Sequence, residues 1–193
     1  MTAEPTSLSL MTVFEGWAGA QQSLVDAIAP LSPGNLAFRP TPELRSVTEI
    51  VRHISGGRVN WFQRMHAPGC AELIEQIGAW DEDPHGNRYV DEDVLGTTAV
   101  ELVHWLEATW GMVERTLSAW TVPDLLRTYR HTWRGQTYAV SYQWTIWRIM
   151  AHDLHHGGEL AVMLGMQGIA IPELGDMGGH LTPTPLADDA SSG

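Results

Sequence analysis

Apolar side chains recur every three to four positions in four separate stretches of the chain, and each stretch reads as an amphipathic helix. Over residues 8–29, Leu10, Val13, Phe14, Trp17, Leu24, Val25 and Ile28 share helical spacing, and Pro30 and Pro33 end the run. Ser46 and Glu49 have the spacing of a capping box, so a second helix is predicted from there to about residue 65. Its stripe is Ile50, His53, Ile54, Gly57 and Trp61, which turns His53 inward. Thr98 and Glu101 repeat the box, and Leu102, Val103, Leu106, Trp110, Val113 and Leu117 form the stripe of a third helix ending near residue 120. Ser141 is placed to cap a fourth helix that runs to about residue 165.

The segments between are less regular. The Pro-rich link over residues 30–45 reads as extended chain along one end of the molecule. Residues 66–94 form a long connection with a short helix over 71–77 and an acidic run, DEDPHGNRYVDED. That run is expected to be solvated surface, with partial cover of a site near Trp80. Residues 129–141 alternate bulky and polar side chains around Arg134-Gly135, as a small hairpin or an irregular crossover would. The predicted architecture is all-α: one four-helix bundle domain with long connections over residues 1–172. Residues 1–7 read as frayed, and 173–193 as a partly disordered tail rich in Pro, Gly, Asp and Ser.

Histidines change this picture. His152 and His156 stand one helical turn apart on the stripe that carries Ile149 and Met163, so they look inward together. Two core histidines satisfied by hydrogen bonds would show the same spacing. His53, inward on another helix, favours a shared metal ion. Three imidazoles plus solvent describe an open, catalytic-type zinc site, although nickel, iron or copper also accept imidazole. At the open position a water would lose its proton near neutral pH, or an external thiol would bind as thiolate. Glu159, one turn beyond His156, could hold a bound water, act as base or add a ligand. Asp153 and His155 leave the helix about 100° away from the neighbouring ligand positions, and read as packing or surface residues. His104 lies one residue off its stripe and reads as structural or exposed. Gly56 and Gly57 each weaken their helix by about 1 kcal/mol. They admit either a plain packing contact or the close approach of a helix or ligand. The segment also matches H-D-x-x-H, a relative of the H-E-x-x-H metalloprotease motif. Asp153 is one methylene shorter than the Glu of that motif and no clear third ligand follows it, which argues against a protease.

Composition narrows the function further. The 193 residues carry 23 acidic against 11 basic side chains, all of the latter arginine, for a formal charge of -12. That excludes nucleic acid as the natural partner, because phosphate contacts need clustered cations. Cys70 is the single cysteine, so no intrachain disulfide forms, and its surroundings carry no motif of a reactive thiol. No stretch approaches the ~18 apolar residues of a membrane span, and no basic leader opens the chain, so a cytoplasmic protein is expected.

These residues resemble a known family. LSPGNLAFRPTPELRSVTEIVRHISG resembles the Pro-rich approach to a histidine-bearing helix of the DinB-like superfamily, also described as DinB/YfiT-like metal-dependent enzymes. AHDLHHGGEL resembles that family's H-x-x-x-H-R-G-Q pattern, with Gly157 where many members have Arg and Glu159 where many have Gln. The resemblance implies a bundle that is often a homodimer, with zinc or nickel on His53, His152 and His156. It also implies thiol-dependent transferases or isomerases that use mycothiol- or bacillithiol-type cofactors. The expected function is therefore activation of a low-molecular-weight thiol for transfer to a small electrophilic substrate. A metal-dependent hydrolase using bound water, with Glu159 as base, and a non-catalytic metal- or ligand-binding bundle are the alternatives.

Overall fold

The computed structural model describes residues 9–171; the expectations for the first seven residues and for the tail lie outside them. A 3-10 turn, Leu10–Thr12, precedes α1 (Glu15–Ile28), α2 (Pro33–Ala37), α3 (Val47–Phe62) and α4 (Cys70–Ile77). Strands β1 (Trp80–Glu82) and β2 (Arg88–Val90), a 3-10 turn at Glu92–Leu95, and α5 (Ala99–Ala119) follow. A last 3-10 turn, Val122–Leu126, then leads to β3 (Thr128–Trp133), β4 (Gln136–Ser141) and α6 (Tyr142–Met166). The four long helices are those the periodicity predicts, except that α1 starts at Glu15 rather than near residue 8 and leaves Val13 exposed outside it. Helix α3 packs on α5 and α6, and α1 closes the other side against the same two. The capping boxes form: Ser46 Oγ accepts from the Glu49 amide, Thr98 Oγ1 from that of Glu101, and each Glu returns a bond to its cap.

The chain is mostly helical rather than all-α, because two antiparallel hairpins interrupt it. Residues 128–141 form a hairpin and not a crossover, with Trp133 opposite Gln136. Arg134 and Gly135 supply two successive positive φ values, 49° and 75°, the geometry of a tight two-residue turn. The acidic run is also ordered. Asp83 accepts bonds from the amides of His85 and Asn87, which closes β1 onto β2. The Val90 amide donates to Asn60 Oδ1 and ties the hairpin to α3. The Pro-rich link is not wholly extended, since Ser32 caps the one-turn helix α2 with Pro33 at its first position.

Buried apolar side chains form two clusters stacked along the helices. Trp17, Val59, Phe62, Met112, Leu117 and Ile146 belong to one. Leu24, Ile28, Val51, Ile54, Leu102, Leu106 and Leu160 belong to the other. Each fully buried side chain of this size contributes about 1.5–3 kcal/mol. A polar layer separates the clusters: Gln21, Ser55, Arg58, Thr109 and Asp153, all buried. The three histidines open at the level of this layer.

Candidate metal centre

Helix α3 carries His53, and α6 carries His152 and His156. Their ring centroids lie 4.9, 5.1 and 4.4 Å apart, for the pairs 53–152, 53–156 and 152–156. One ring nitrogen from each can be chosen so that all three atoms lie within 4.8 Å of one another. His156 is buried, while the His53 side chain keeps 26% of its surface exposed. The centre therefore lies between α3 and α6 at a partly exposed position, not in sealed core, and His53 is the most exposed of the three.

Gly57 makes the approach possible. A Cβ there would stand 2.9 Å from His152 Cε1, closer than carbon atoms tolerate. Of the two roles open to this glycine, close approach of a neighbouring side chain is the one observed. At Gly56 a Cβ would meet the Glu92 side chain at 3.1 Å.

Carboxylates stand behind the rings. Glu92 Oε1 is 2.8 Å from His53 Nδ1, and Glu159 Oε2 is 2.7 Å from His156 Nδ1. Both bonds leave Nε2 free, and carboxylate support of Nδ1 is the usual way in which a metal-binding imidazole is oriented. His152 Nδ1 is buried without a hydrogen bond among the described residues, 3.6 Å from Asp153 Oδ1, which likewise has no partner among them. The donor set thus fits a divalent ion of zinc type: three neutral nitrogens, two of them already turned by carboxylates. Burial pushes His156 below the ordinary imidazole pKa, against the opposing pull of Glu159. Partial burial works to raise the Glu159 carboxyl, but the bond to His156 and the charges of His156, His155 and Arg45 hold it lower.

Glu159 lies on the predicted face, yet it engages His156 Nδ1 on one side and His155 Nε2, at 3.2 Å, on the other. Of the packing and surface roles open to His155, the surface one is observed. Asp153 packs and does not reach the surface. With 1% of its side chain exposed, it accepts from Arg58 Nε at 2.8 Å and from Trp17 Nε1 at 2.9 Å. His104 is exposed. Cys70 is buried, and desolvation, reinforced by Glu72, raises its thiol to about 11, so it stays protonated at neutral pH.

Two residues escaped the sequence reading. Glu92 belongs to the acidic run expected to be solvated. The 3-10 turn Glu92–Leu95 instead docks on α3, with Asp93 paired to Arg52 at 2.8 Å and Arg52 Nε bonded to the Gly96 carbonyl. Arg58, with no exposed side-chain surface, anchors Asp153 directly beside His152. A local pattern signals neither, and Arg58 lies off the stripe of Ile50, His53, Ile54, Gly57 and Trp61.

A mostly helical fold with three histidines converging between α3 and α6 defines a protein with a candidate metal centre. The chain belongs to the DinB superfamily, whose family model matches residues 17–160. Two solved structures share the fold. One is a DinB-like protein from Bacillus cereus (15% identity, TM-score 0.61), covering 86% of this chain and 98% of that one. The other is a conserved protein from Enterococcus faecalis (14% identity, TM-score 0.60), covering 81% and 96%. No curated protein matches the chain. Among the described residues no helix is long and apolar enough to cross a membrane.

Proposed function

We propose that the protein is a metal-dependent enzyme that activates a low-molecular-weight thiol, of mycothiol or bacillithiol type, for transfer to a small electrophile. The observation that carries this reading is the convergence of His53, His152 and His156, with ligand atoms within 4.8 Å of one another and two of the three residues partly exposed. The three imidazoles would hold a zinc or nickel ion. When bound, the ion supplies a positive centre that lets a thiol lose its proton at neutral pH. Glu92 and Glu159 hold the His53 and His156 rings with Nε2 free. Glu159, placed behind His156, serves as a positioning residue in this reading, which weighs against a hydrolase that needs it as the base. Cys70, buried and protonated, leaves the nucleophile to come from solution.

Purified protein is expected to hold close to one ion per chain, and His53→Ala to lose most of it. With metal, one member of a thiol panel should support conjugation to a model electrophile, and Cys70→Ser should leave the rate unchanged. Full metal retention by His53→Ala would sink the site. Absence of any thiol-dependent, metal-dependent turnover would sink the activity. A homodimer, also part of this proposal, would use the outer face of α6, where the exposure of Trp147, Leu154, Val162 and Met166 supports it. A monomer at micromolar concentration in sedimentation analysis would refute that assembly.

A further inference from the structure

Two arginines converge on one tryptophan, Trp61, eight residues beyond His53 on α3. Arg64 lies with its guanidinium carbon 4.6 Å from the Trp61 ring centroid, and Arg148 with its own at 4.7 Å from the same centroid. The two guanidinium carbons are therefore no further apart than those distances together, and Arg148 is close enough to act on the Arg64 charge. Arg148 also lies 5.3 Å from the Trp144 ring, and the two tryptophan rings are 5.4 Å apart. His131, from β3, stacks its ring edge 5.3 Å from Trp61, and its buried Nδ1 has no partner among the described residues.

No carboxylate neutralises this group. The Arg64 bond runs to the Asn60 backbone carbonyl, and neither arginine forms an ion pair among the described residues. Asp83 acts on Arg64 only at a distance, with its oxygens engaged by Asn87 and the His85 amide. Partial burial disfavours the charge on Arg64, and Arg148 adds to that. In a chain of net charge -12, two like charges gather on one ring with no ion-pair partner among the described residues, and the half-buried Arg64 bears the cost while Arg148 is exposed. A bound anion would relieve it.

The position connects the pair to the metal centre. His53, Gly57 and Trp61 follow one another at four-residue spacing on α3, as do Trp144, Arg148 and His152 on α6. Eight residues of helix separate His53 from Trp61, about 12 Å.

We propose that Arg64 and Arg148, with Trp61 and Trp144, form a subsite for the carboxylate or phosphate end of a small molecule whose other end reaches the three histidines. The second half of that statement rests on the metal-centre reading; anion binding itself does not. Planar arginine forks suit either oxyanion, and the tryptophan faces suit the ring or alkyl portion between.

The test is isothermal titration of the full chain with malate and, separately, inorganic phosphate, at low salt. At least one should bind saturably with a Kd of about 1 mM or tighter, and the tighter probe names the oxyanion. Arg148→Gln, an exposed position that should not disturb folding, is expected to weaken binding at least tenfold. Arg64→Gln should do the same, whereas Arg134→Gln, at the β3–β4 turn, should not. Metal content should be unchanged in all three. Absence of saturable binding for both probes, or wild-type affinity in Arg148→Gln, overturns the proposal. If malate or phosphate binds through Arg148 but His53→Ala keeps its metal, the subsite stands and the metal-centre reading falls.

Discussion

Gly57→Ala isolates the contact on which the centre depends. On an open helix the substitution stabilises by about 1 kcal/mol, because Gly is the poorer helix former. At position 57 the new Cβ would stand 2.9 Å from His152 Cε1 and 3.4 Å from Nε2. Carbon atoms prefer about 3.5–4.0 Å, so the imidazole must retreat by roughly half an ångström or more. Overpacking of this kind costs about 1–3 kcal/mol, which offsets the helix gain and leaves the metal-free protein between unchanged and about 2 kcal/mol less stable. The larger effect should fall on metal binding, since one of three donors is displaced. Disturbing the orientation of a ligand typically weakens affinity about 10–100-fold. Zinc titration against a competing chelator measures the affinity, and urea unfolding of the metal-free protein measures stability. Gly158→Ala is the control. It lies on exposed α6 surface with nothing within 4 Å of its Cβ position, so it should gain up to about 1 kcal/mol and keep wild-type zinc affinity. If Gly57→Ala behaved like Gly158→Ala in both assays, the account of why α3 carries a glycine opposite His152 would be refuted.

The remaining predictions concern the groups behind the rings. Glu92→Ala should weaken zinc affinity about 10–100-fold by freeing His53 Nδ1, with chelator competition as the check; unchanged affinity would show that the 2.8 Å contact is incidental. Asp153→Asn should destabilise the fold by about 3 kcal/mol or more in denaturant unfolding, because it leaves the Arg58 charge buried and uncompensated; a loss below about 1 kcal/mol would contradict the burial argument. Stability of the metal-free protein should fall with acid. Burial holds His156 below its usual pKa, so as pH drops past about 6.5 the unfolded chain takes up that proton first. Glu159, also depressed, adds a further loss once pH falls below about 4.5. Urea unfolding across this range should show a shallower slope for His156→Gln than for wild type; equal slopes would assign the acid sensitivity elsewhere.

Much of the molecule was legible in local pattern. Helices α3, α5 and α6 announce themselves through a period of 3.6 and through Ser46, Thr98 and Ser141 at their starts, since capping and amphipathicity are properties of neighbouring residues. His152 and His156 share a face by helix geometry alone, and the likeness to DinB proteins rested on the same short segments. The β1–β2 hairpin was not legible. Its strands are three residues long, with half of their residues charged, and closed by Asp83 side-chain bonds rather than by an apolar alternation.

What tertiary structure alone decided is which distant groups meet. Glu92 sits behind His53, 39 residues away in the chain, because the 3-10 turn after β2 packs on α3 over Gly56. Arg58 meets Asp153 because α3 and α6 cross where both are denied water, and a buried charge must find its opposite. The chain's own order of residues determined four helices and the inward turn of three histidines. The meeting of the three rings between α3 and α6 with His53 partly exposed, the carboxylates behind the rings and the two arginines on Trp61 came from packing, because side chains on separate helices acquire neighbours only when the helices dock.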